Sequence, residues 1–337
     1  MKAIGYYRPL PIDDAEALVD LDLPVPVPRP RDLLVRVQAI SVNPADVKIR
    51  AGVTPPDGAP RILGYDAVGV VEAAGPETRL FKPGDAVFYA GAVDRPGAYA
   101  ELHAVDERIV GPAPVSLTAS QAAALPLTAL TAWELLFDRL GVPYGPRASD
   151  DAILIVNGAG GVGSILTQIA RRLTGLIVIA TASRPETAAW CEGMGAHHVI
   201  DHRTPLDQGL KAIGIPQVRY VAGLTATDSH QNAILEALAP RGALAMIDDP
   251  ETFDIVPFKR KSLSVHWELM FTRALYGTTD MSEQHRILTE VSALLDRRVL
   301  RTTLRNDYGP INAANLRRAH AAVESGRSIG KIVLSGF

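Results

Sequence analysis

The chain has 337 residues, a net charge of −3 at pH 7, and 47% hydrophobic against 21% charged residues. This length allows two domains, and the composition is typical of a globular protein with a buried core. The small negative charge argues against nucleic acid or an anionic membrane surface as a partner. No apolar run reaches the ~20 residues that are needed to span a bilayer.

The cysteine count bears on both the compartment and the metal content. Cys191 is the only cysteine, so no internal disulfide can form, and a reducing cytoplasm is the expected location. A structural zinc normally takes four Cys or His ligands and a catalytic zinc takes three. The eight histidines show no spacing typical of such a site. We therefore predict that the protein holds no metal.

The first part of the chain, to about residue 125, is rich in proline, glycine and short β-like runs. Alternate prolines from Pro24 to Pro30 form an extended stretch that is incompatible with a helix. Turn signals such as the Lys-Pro-Gly-Asp sequence at 82–85 separate the predicted strands. These strands span residues 33–40, 68–74, 86–89 and 98–104. The pattern predicts a compact, mainly β domain.

The middle of the chain, residues 126–297, alternates between buried strands and helices. The predicted strands span residues 153–156, 176–180, 218–222, 243–247 and 263–265. Apolar residues from Val162 to Leu173 recur with helical spacing, and a second such stripe runs from Ile287 to Leu295. Alternating βα units predict a doubly wound parallel sheet. Residues 298–337 return to strand and turn texture, and we expect them to complete the first domain.

A glycine-rich segment follows the first strand of this predicted sheet. Residues 158–163 read Gly-Ala-Gly-Gly-Val-Gly, and Gly158, Gly160 and Gly163 match the dinucleotide-binding pattern, with Gly161 and Val162 inside it. The pattern alone also fits an ordinary turn. Here a buried strand precedes it and an amphipathic helix begins within it, so the context favours a loop that binds pyrophosphate at a helix N-terminus.

The end of the next strand bears on which dinucleotide binds. About 20 residues past the glycines stand Ser183 and Arg184, where cofactors with a free 2′-hydroxyl usually meet an acid. A hydroxyl followed by a guanidinium suits a 2′-phosphate and predicts NADPH. In the alternative, Arg184 is only a surface residue and Glu186 faces the ribose.

Five further segments carry a resemblance to a known family. They are residues 43–52, 64–71, 82–87, 125–133 and 328–334. With the order of the domains, they resemble the medium-chain dehydrogenase/reductase superfamily, in its zinc-free quinone oxidoreductase-like branch, often labelled zinc-type alcohol dehydrogenase-like. The resemblance implies an α/β fold, with a β-rich GroES-like catalytic domain at 1–125 completed by 298–337. It implies a Rossmann NADP-binding domain at 126–297.

Departures from the zinc enzymes of this superfamily bear on the chemistry. Asn43 stands where those enzymes carry a Cys, and Tyr65-Asp66 stand where they carry a His-Glu pair. The Cys-rich structural zinc lobe is absent. Without a zinc Lewis acid, hydride transfer requires a substrate that is already electrophilic, such as a quinone or an α,β-unsaturated carbonyl compound.

The resemblance also implies roles for individual residues. Asn43 and Tyr65 are the candidate catalytic residues, as donors to a developing oxyanion, and Tyr65 is also a candidate proton donor. Asp46 either orients its neighbours or caps a helix. The remaining assignments are cofactor contacts by Thr131, His202 and Lys331, and a place in the substrate cleft for His266 and Trp267. Trp267 is equally suited to packing or to a dimer contact.

The function expected from these features is an NADPH-dependent reductase of quinones or enones. Two alternatives remain: a non-enzymatic NADPH-binding redox sensor or scaffold, and a zinc-dependent alcohol dehydrogenase. We also expect a homodimer in which the edge strand at residues 263–267 pairs with its own copy, as related reductases pair. In the alternative, Lys259, Arg260 and Lys261 keep this edge solvated and the chain monomeric.

Overall fold

The computed structural model describes residues 1–56, 58–145 and 149–337. Its strands are β1 (Lys2–Tyr6), β2 (Val19–Asp22), β3 (Asp32–Val42), β4 (Arg61–Ile62), β5 (Ala67–Ala74), β6 (Ala86–Tyr89), β7 (Leu102–Asp106), β8 (Val110–Pro112), β9 (Ala152–Val156), β10 (Ile177–Thr181), β11 (His198–Ile200), β12 (Val218–Gly223), β13 (Leu238–Met246), β14 (Ser264–Trp267), β15 (Leu304–Asp307) and β16 (Lys331–Ser335).

The α-helices follow the same chain order. They are α1 (Pro44–Gly52), α2 (Ala119–Ala123), α3 (Pro126–Trp133), α4 (Gly161–Leu173), α5 (Pro185–Met194), α6 (Leu206–Ala212), α7 (Thr227–Ala237), α8 (Thr272–Leu275), α9 (Glu283–Asp296) and α10 (Ala313–Glu324). A π-helical turn over Glu134–Arg139 continues α3, and the sequence pattern gave no sign of it. Among the described residues, no helix combines the length and the apolar composition needed to cross a membrane.

The described residues divide into two compact units. The first comprises Met1–Leu130 and Phe271–Phe337, and the second comprises Thr131–Met270. The first unit holds a three-stranded sheet of order β2-β1-β4 and a seven-stranded sheet of order β15-β16-β3-β5-β6-β8, with β7 also paired to β3. The long strand β3 is the centre of the larger sheet because it pairs with β5, β7 and β16. The predicted return of the C-terminal strand to the β-rich domain is thus present.

The second unit holds one parallel sheet of six strands, in the order β11-β10-β9-β12-β13-β14. Its central strand β9 is buried along its whole length, Ala152–Val156, because helices cover both faces of such sheets, whereas the edge strand β14 is partly exposed. The sequence pattern predicted this doubly wound sheet correctly. Chain order reverses at β9, which pairs with β10 on one side and β12 on the other. Ligands of open α/β sheets bind beyond the carboxyl ends of the strands at such a point.

One predicted boundary differs from the structure. Residues 271–297 belong to the first unit, although we assigned them to the Rossmann domain. Helix α9 packs on the β-rich unit, where the His285 Nδ1 atom lies 2.7 Å from the Val110 carbonyl oxygen and the Asp296 carboxylate accepts a 2.8 Å hydrogen bond from the Ser116 amide. Its apolar stripe shows that the helix is packed against something, but helical periodicity does not indicate which domain provides the partner surface.

A buried histidine joins β6 and β7 inside the first unit. The His103 Nε2 atom lies 2.9 Å from the Pro96 carbonyl oxygen, so Nε2 must carry the hydrogen. The Nδ1 atom then accepts from the Tyr89 hydroxyl at 3.0 Å, and the two rings stack at 5.4 Å. Burial lowers the pKa of His103 to about 4, because this neutral tautomer satisfies both nitrogens without a charge.

His103 should therefore weaken the fold in acid. The pKa of His103 in the unfolded chain is near 6.5. Between about pH 6.5 and 4, the unfolded chain therefore binds a proton at this residue that the folded chain does not bind. Across this window the residue should lower the free energy of unfolding by at most about 1.4 kcal/mol for each unit that pH falls. Urea titrations of wild type and His103→Gln between pH 4.5 and 7.5 would measure this. The difference in stability should shrink as pH falls, and a constant difference would contradict the assignment.

Candidate active site

The glycine-rich segment forms a tight turn between β9 and α4. Asn157, directly after β9, has a φ of 66°, and α4 begins at Gly161. Two hydrogen bonds tie the turn to the end of β10: the Gly158 amide donates to the Thr181 carbonyl at 3.1 Å, and the Asn157 amide donates to Thr181 Oγ1 at 2.9 Å. The loop and the end of the neighbouring strand are therefore held as one element.

The three glycines of the pattern differ in what surrounds them. A Cβ at Gly163 would lie 2.5 Å from the Asn157 carbonyl oxygen, and a Cβ at Gly158 would lie 2.6 Å from Ala180 Cβ. Both positions are closed by the packing of the protein itself. A Cβ at Gly160 would have its closest neighbour in the Asn157 side-chain amide, at 3.1 Å, and would clear the nearest backbone oxygen by 3.6 Å. Gly160, Gly161 and Val162 are also partly exposed, at the first turn of α4, where helix N–H groups point outward.

The difference between the enclosed Gly158 and Gly163 and the partly exposed Gly160 is what a loop that binds a cofactor phosphate requires. Packing requires glycine at 158 and 163, whereas at the partly exposed Gly160 a Cβ would press only on the Asn157 side chain. The N-terminus of a 13-residue helix favours an anion there through its N–H groups and its dipole. The loop is thus suited to hold a pyrophosphate.

The predicted ribose-binding residues lie at the carboxyl ends of β10 and β11. Ser183 and Arg184 follow β10, and the Arg184 guanidinium forms a 3.0 Å ion pair with Glu186. His202 follows β11, and its Nδ1 atom lies 3.3 Å from Thr181 Oγ1. The structure therefore brings these residues to the same end of the sheet as the glycine loop.

Three other predicted residues of the second unit lie on other elements, α3 and β14. Thr131 is buried in α3. His266 and Trp267 end β14, and β12 and β13 stand between this strand and β9. The Trp267 side chain is 55% exposed. The assignments of Thr131, His266 and Trp267 stay predictions.

In the first unit, a buried polar cluster collects several of the predicted residues. The Asn43 Nδ2 atom donates to the Tyr65 carbonyl oxygen at 3.0 Å and to Asp66 Oδ2 at 2.8 Å. The Asp66 carboxylate also accepts from Ser41 Oγ and from the Leu127 amide, each at 2.7 Å. Asn43, Tyr65 and Asp66 have no solvent exposure.

Lys331 belongs to this cluster. Its ammonium lies 3.1 Å from Asp66 Oδ2 and donates to the Val42 carbonyl at 3.0 Å and to Asn43 Oδ1. Burial lowers the pKa of this ammonium, which its carboxylate partner opposes. Three oxygen atoms account for the three N–H donors of a lysine. In this arrangement the Lys331 ammonium contacts protein groups, and its contact with the cofactor stays a prediction.

Asp46 lies in the first turn of α1 and is fully buried. Its carboxylate accepts from the Asn43 amide at 2.8 Å and from the Gly64 amide at 2.9 Å. The first of these is the reciprocal half of a helix cap, one of the two roles weighed for this residue. Burial raises the pKa of Asp46 to about 7 in spite of these hydrogen bonds.

The Tyr65 side chain is buried against Phe271, with ring centroids 5.2 Å apart. Arg61 lies near enough to exert a lowering influence on the pKa of Tyr65, but no hydrogen bond of ordinary geometry reaches the hydroxyl oxygen. Burial raises this pKa to about 12, so the hydroxyl is protonated at neutral pH. A buried hydroxyl without a partner is uncommon and suits a bond to a ligand.

Sequence reasoning missed the central part that Asp66 plays in this cluster. We named Asp66 only as half of the Tyr65-Asp66 pair. The available signal was an acid and a lysine, Asp66 and Lys331, each inside an apolar run of the resembling segments. Charged residues in such runs are rarely buried unless they are paired.

Comparison with known proteins agrees with this organisation. Residues 29–115 match the alcohol dehydrogenase GroES-like domain family, and residues 194–334 match the zinc-binding dehydrogenase family. A zinc-type alcohol dehydrogenase-like protein of Staphylococcus aureus (strain MSSA476) is 40% identical, covering 99% of this chain and 100% of the relative.

Two crystal structures share the whole fold. One, described provisionally as a zinc-dependent alcohol dehydrogenase from Rhizobium etli CFN 42, is 55% identical with a TM-score of 0.96, covering 100% of this chain and 98% of that one. The other, Escherichia coli quinone oxidoreductase complexed with NADPH, is 27% identical with a TM-score of 0.83, covering 99% and 100%.

The GroES-like unit, the parallel sheet with its glycine loop and these similarities define a nicotinamide-dependent oxidoreductase. The chain belongs to the medium-chain dehydrogenase/reductase superfamily, in its quinone oxidoreductase-like branch.

Zinc, which the names of several relatives imply, does not suit the residues of the buried cluster. Zinc sites are built from thiolate, imidazole and carboxylate ligands. The groups here are an amide, a phenol and one carboxylate, and the ammonium of Lys331 already binds both Asn43 and Asp66. Within the described ranges, no three His, Cys, Asp or Glu side chains form a group that could hold a metal ion.

The two kinds of glycine in the loop should respond differently to alanine. Gly160→Ala should leave the fold intact and raise the Kd for NADPH about tenfold or more, because a methyl group would crowd the phosphate at a cost of about 1–3 kcal/mol. Gly163→Ala should lower the free energy of unfolding instead, since its Cβ collides with backbone. Calorimetric binding and urea unfolding of both variants would test this. Unchanged NADPH binding by Gly160→Ala would exclude the loop as the phosphate site.

Proposed function

We propose that this protein is an NADPH-dependent reductase that transfers hydride to a quinone or an α,β-unsaturated carbonyl compound without zinc. The observation that carries this proposal is the binding of Asn43 and Asp66 by the Lys331 ammonium. It leaves these residues, which stand where the resemblance places zinc ligands, without the means to bind a metal. A substrate that needs no Lewis acid to accept hydride is then required.

NADPH, when bound, would supply the hydride. The glycine loop and the first turn of α4 would hold its pyrophosphate, and Ser183 and Arg184 would hold the 2′-phosphate, with His202 nearby. The positive charge of Arg184 and the absence of an acid at position 183 support NADPH over NADH. NADPH in the crystal structure of the related quinone oxidoreductase supports the same choice.

Tyr65 is the residue that we assign to substrate chemistry. Its hydroxyl is protonated at neutral pH and makes no hydrogen bond of ordinary geometry in the fold, so its hydrogen can be donated to an oxygen on which negative charge develops. Asn43 would act differently from our first expectation. Both hydrogens of its amide are used within the cluster, so it would position Tyr65 through the Tyr65 carbonyl rather than donate to substrate. Asp46 would fix the start of α1, and with it Asn43.

Replacing Tyr65 by Phe tests this function directly. The substitution should lower kcat/KM with quinones or enones by a factor of about 10²–10⁴. Stability should change little, because the hydroxyl makes no hydrogen bond of ordinary geometry in the fold. Tyr6→Phe is the matched control: its hydroxyl donates to the Ile49 and Val53 carbonyls, so this change should cost stability and leave the chemistry alone.

Oxidation of NADPH would be followed across a panel of quinones and enones, with and without a chelator. Chelation should have no effect on the rate. Wild-type protein that binds NADPH but reduces no compound of the panel would support the non-enzymatic sensor instead, and loss of activity on chelation would support a zinc enzyme.

We further propose that two chains form a homodimer through β14. This strand ends the parallel sheet, and Trp267 and Leu269 beside it are 55% and 54% exposed. An exposed edge with large apolar side chains favours self-association. Of the three basic residues that precede β14, Lys261 does not keep the edge solvated. Its ammonium donates instead to the Leu235, Glu236 and Leu238 carbonyls at the end of α7.

Light scattering over a dilution series should give twice the chain mass of 36.0 kDa at micromolar concentration. Trp267→Lys should shift the equilibrium toward the monomer, because it removes apolar area from the proposed interface and adds a charge there that must lose its hydration on pairing. Tyr276→Lys, at a residue that is 74% exposed elsewhere, is the control and should leave the mass unchanged. The mass of one chain at every concentration would contradict the proposal.

A further inference from the structure

The ion pair between Arg184 and Glu186 lies where the proposed function places the adenosine ribose. Thr181, at the end of β10, binds the phosphate loop through its carbonyl and its hydroxyl, and Arg184 follows three residues later. In sheets of this type, the ribose next to the pyrophosphate contacts the residues that follow this strand. The position of Arg184 relative to a bound nucleotide is thus set by the loop.

The backbone of Arg184 is fixed by Thr187. The Thr187 hydroxyl donates to the Arg184 carbonyl at 2.8 Å and accepts from the Arg184 amide at 3.2 Å, while Pro185 begins α5 between them. The Glu186 carboxylate then meets the guanidinium at 3.0 Å. A guanidinium has five N–H donors in a planar fork, so one carboxylate contact does not prevent Arg184 from approaching a phosphate as well.

The carboxylate nevertheless opposes a phosphate in this place. It cancels part of the charge of Arg184 and would repel a 2′-phosphate bound to the same guanidinium. The Glu186 side chain is 61% exposed and that of Arg184 is 31% exposed, so solvent weakens both effects without removing them. A 2′-hydroxyl would meet no such repulsion.

We propose that Glu186 is a specificity-determining residue that limits the preference of this protein for NADPH over NADH, by partly neutralising Arg184. The inference rests on the proposed function, because it requires a nucleotide at the glycine loop. It predicts that the protein favours NADPH over NADH moderately, and that removal of the Glu186 carboxylate increases this preference.

The test compares two nucleotide fragments that differ only in the 2′-phosphate, 2′,5′-ADP and 5′-AMP. Their binding to the full chain is measured by calorimetry for wild type, Glu186→Gln and Glu192→Gln. Glu192 is an exposed acid of the same helix, so Glu192→Gln changes the net charge equally. Glu186→Gln should tighten 2′,5′-ADP about threefold, as expected from the strength of an exposed ion pair, and leave 5′-AMP unchanged. The gain should decrease as salt is raised from 50 to 300 mM, because salt screens exposed charges.

Each outcome decides between distinct possibilities. An unchanged ratio of the two affinities in Glu186→Gln would overturn the role of Glu186. An equal gain of affinity for 2′,5′-ADP in Glu192→Gln would overturn it as well. Neither result would contradict the proposed nucleotide site. Weaker binding of 2′,5′-ADP by Glu186→Gln would also overturn it, because Glu186 would then serve to orient Arg184 for the phosphate. Failure of both fragments to bind wild type would overturn the proposed nucleotide site, and this inference with it.

Discussion

The contact of the Lys331 ammonium with Asp66, Asn43 and the Val42 carbonyl is the interaction on which the first unit depends. It joins β16, near the C-terminal end of the chain, to the end of β3 and to the residue that precedes β5. A buried charge that loses its partner is strongly destabilising, so these groups must assemble together. The C-terminal strand is thereby an integral part of the β-rich unit, although hundreds of residues separate it from β3 in the sequence.

The same contact determines what the candidate catalytic residues can do. Because Lys331 binds the oxygen of the Asn43 amide, the nitrogen of that amide points to Asp66 and to the Tyr65 carbonyl. Under the proposed function Asn43 is therefore a positioning group, and the hydroxyl of Tyr65 makes no hydrogen bond of ordinary geometry within the fold. The family carries the name zinc-binding dehydrogenase, whereas in this chain the Lys331 ammonium contacts side-chain oxygens of Asn43 and Asp66.

In the second unit, the glycines of the loop after β9 differ in their surroundings: two are enclosed by packing and one is partly exposed. Gly158 and Gly163 are enclosed by Ala180 and by the backbone of the loop, and Thr181 ties the turn to the neighbouring strand. Gly160 is partly exposed to solvent. A loop built in this way presents helix N–H groups in a fixed direction, which lowers the entropy lost when an anion binds.

Local periodicity and the placement of glycine and proline were enough to predict many of the elements. The predicted strands overlap β3, β5–β7, β9, β10 and β12–β14, and the apolar stripe from Val162 to Leu173, the glycine loop and the parallel sheet were predicted as well. These features could be predicted because burial on both faces of a strand and apolar stripes on a helix leave periodic patterns in the sequence. The π-helical turn after α3 was not predicted, since its hydrogen bonds differ from those of an α-helix while its apolar spacing does not reveal the change.

Which side chains meet depends on the folded structure. Nothing local in the sequence shows that β16 lies beside β3, so the contact of Lys331 with Asn43 and Asp66 was not predicted. Helix α9 was assigned to the Rossmann domain for a similar reason, since an apolar stripe does not identify its partner surface, whereas it lies in the β-rich unit. The contact between Lys331 and Asn43 spans 288 residues of sequence, and it depends on a pairing of strands that local patterns do not reveal.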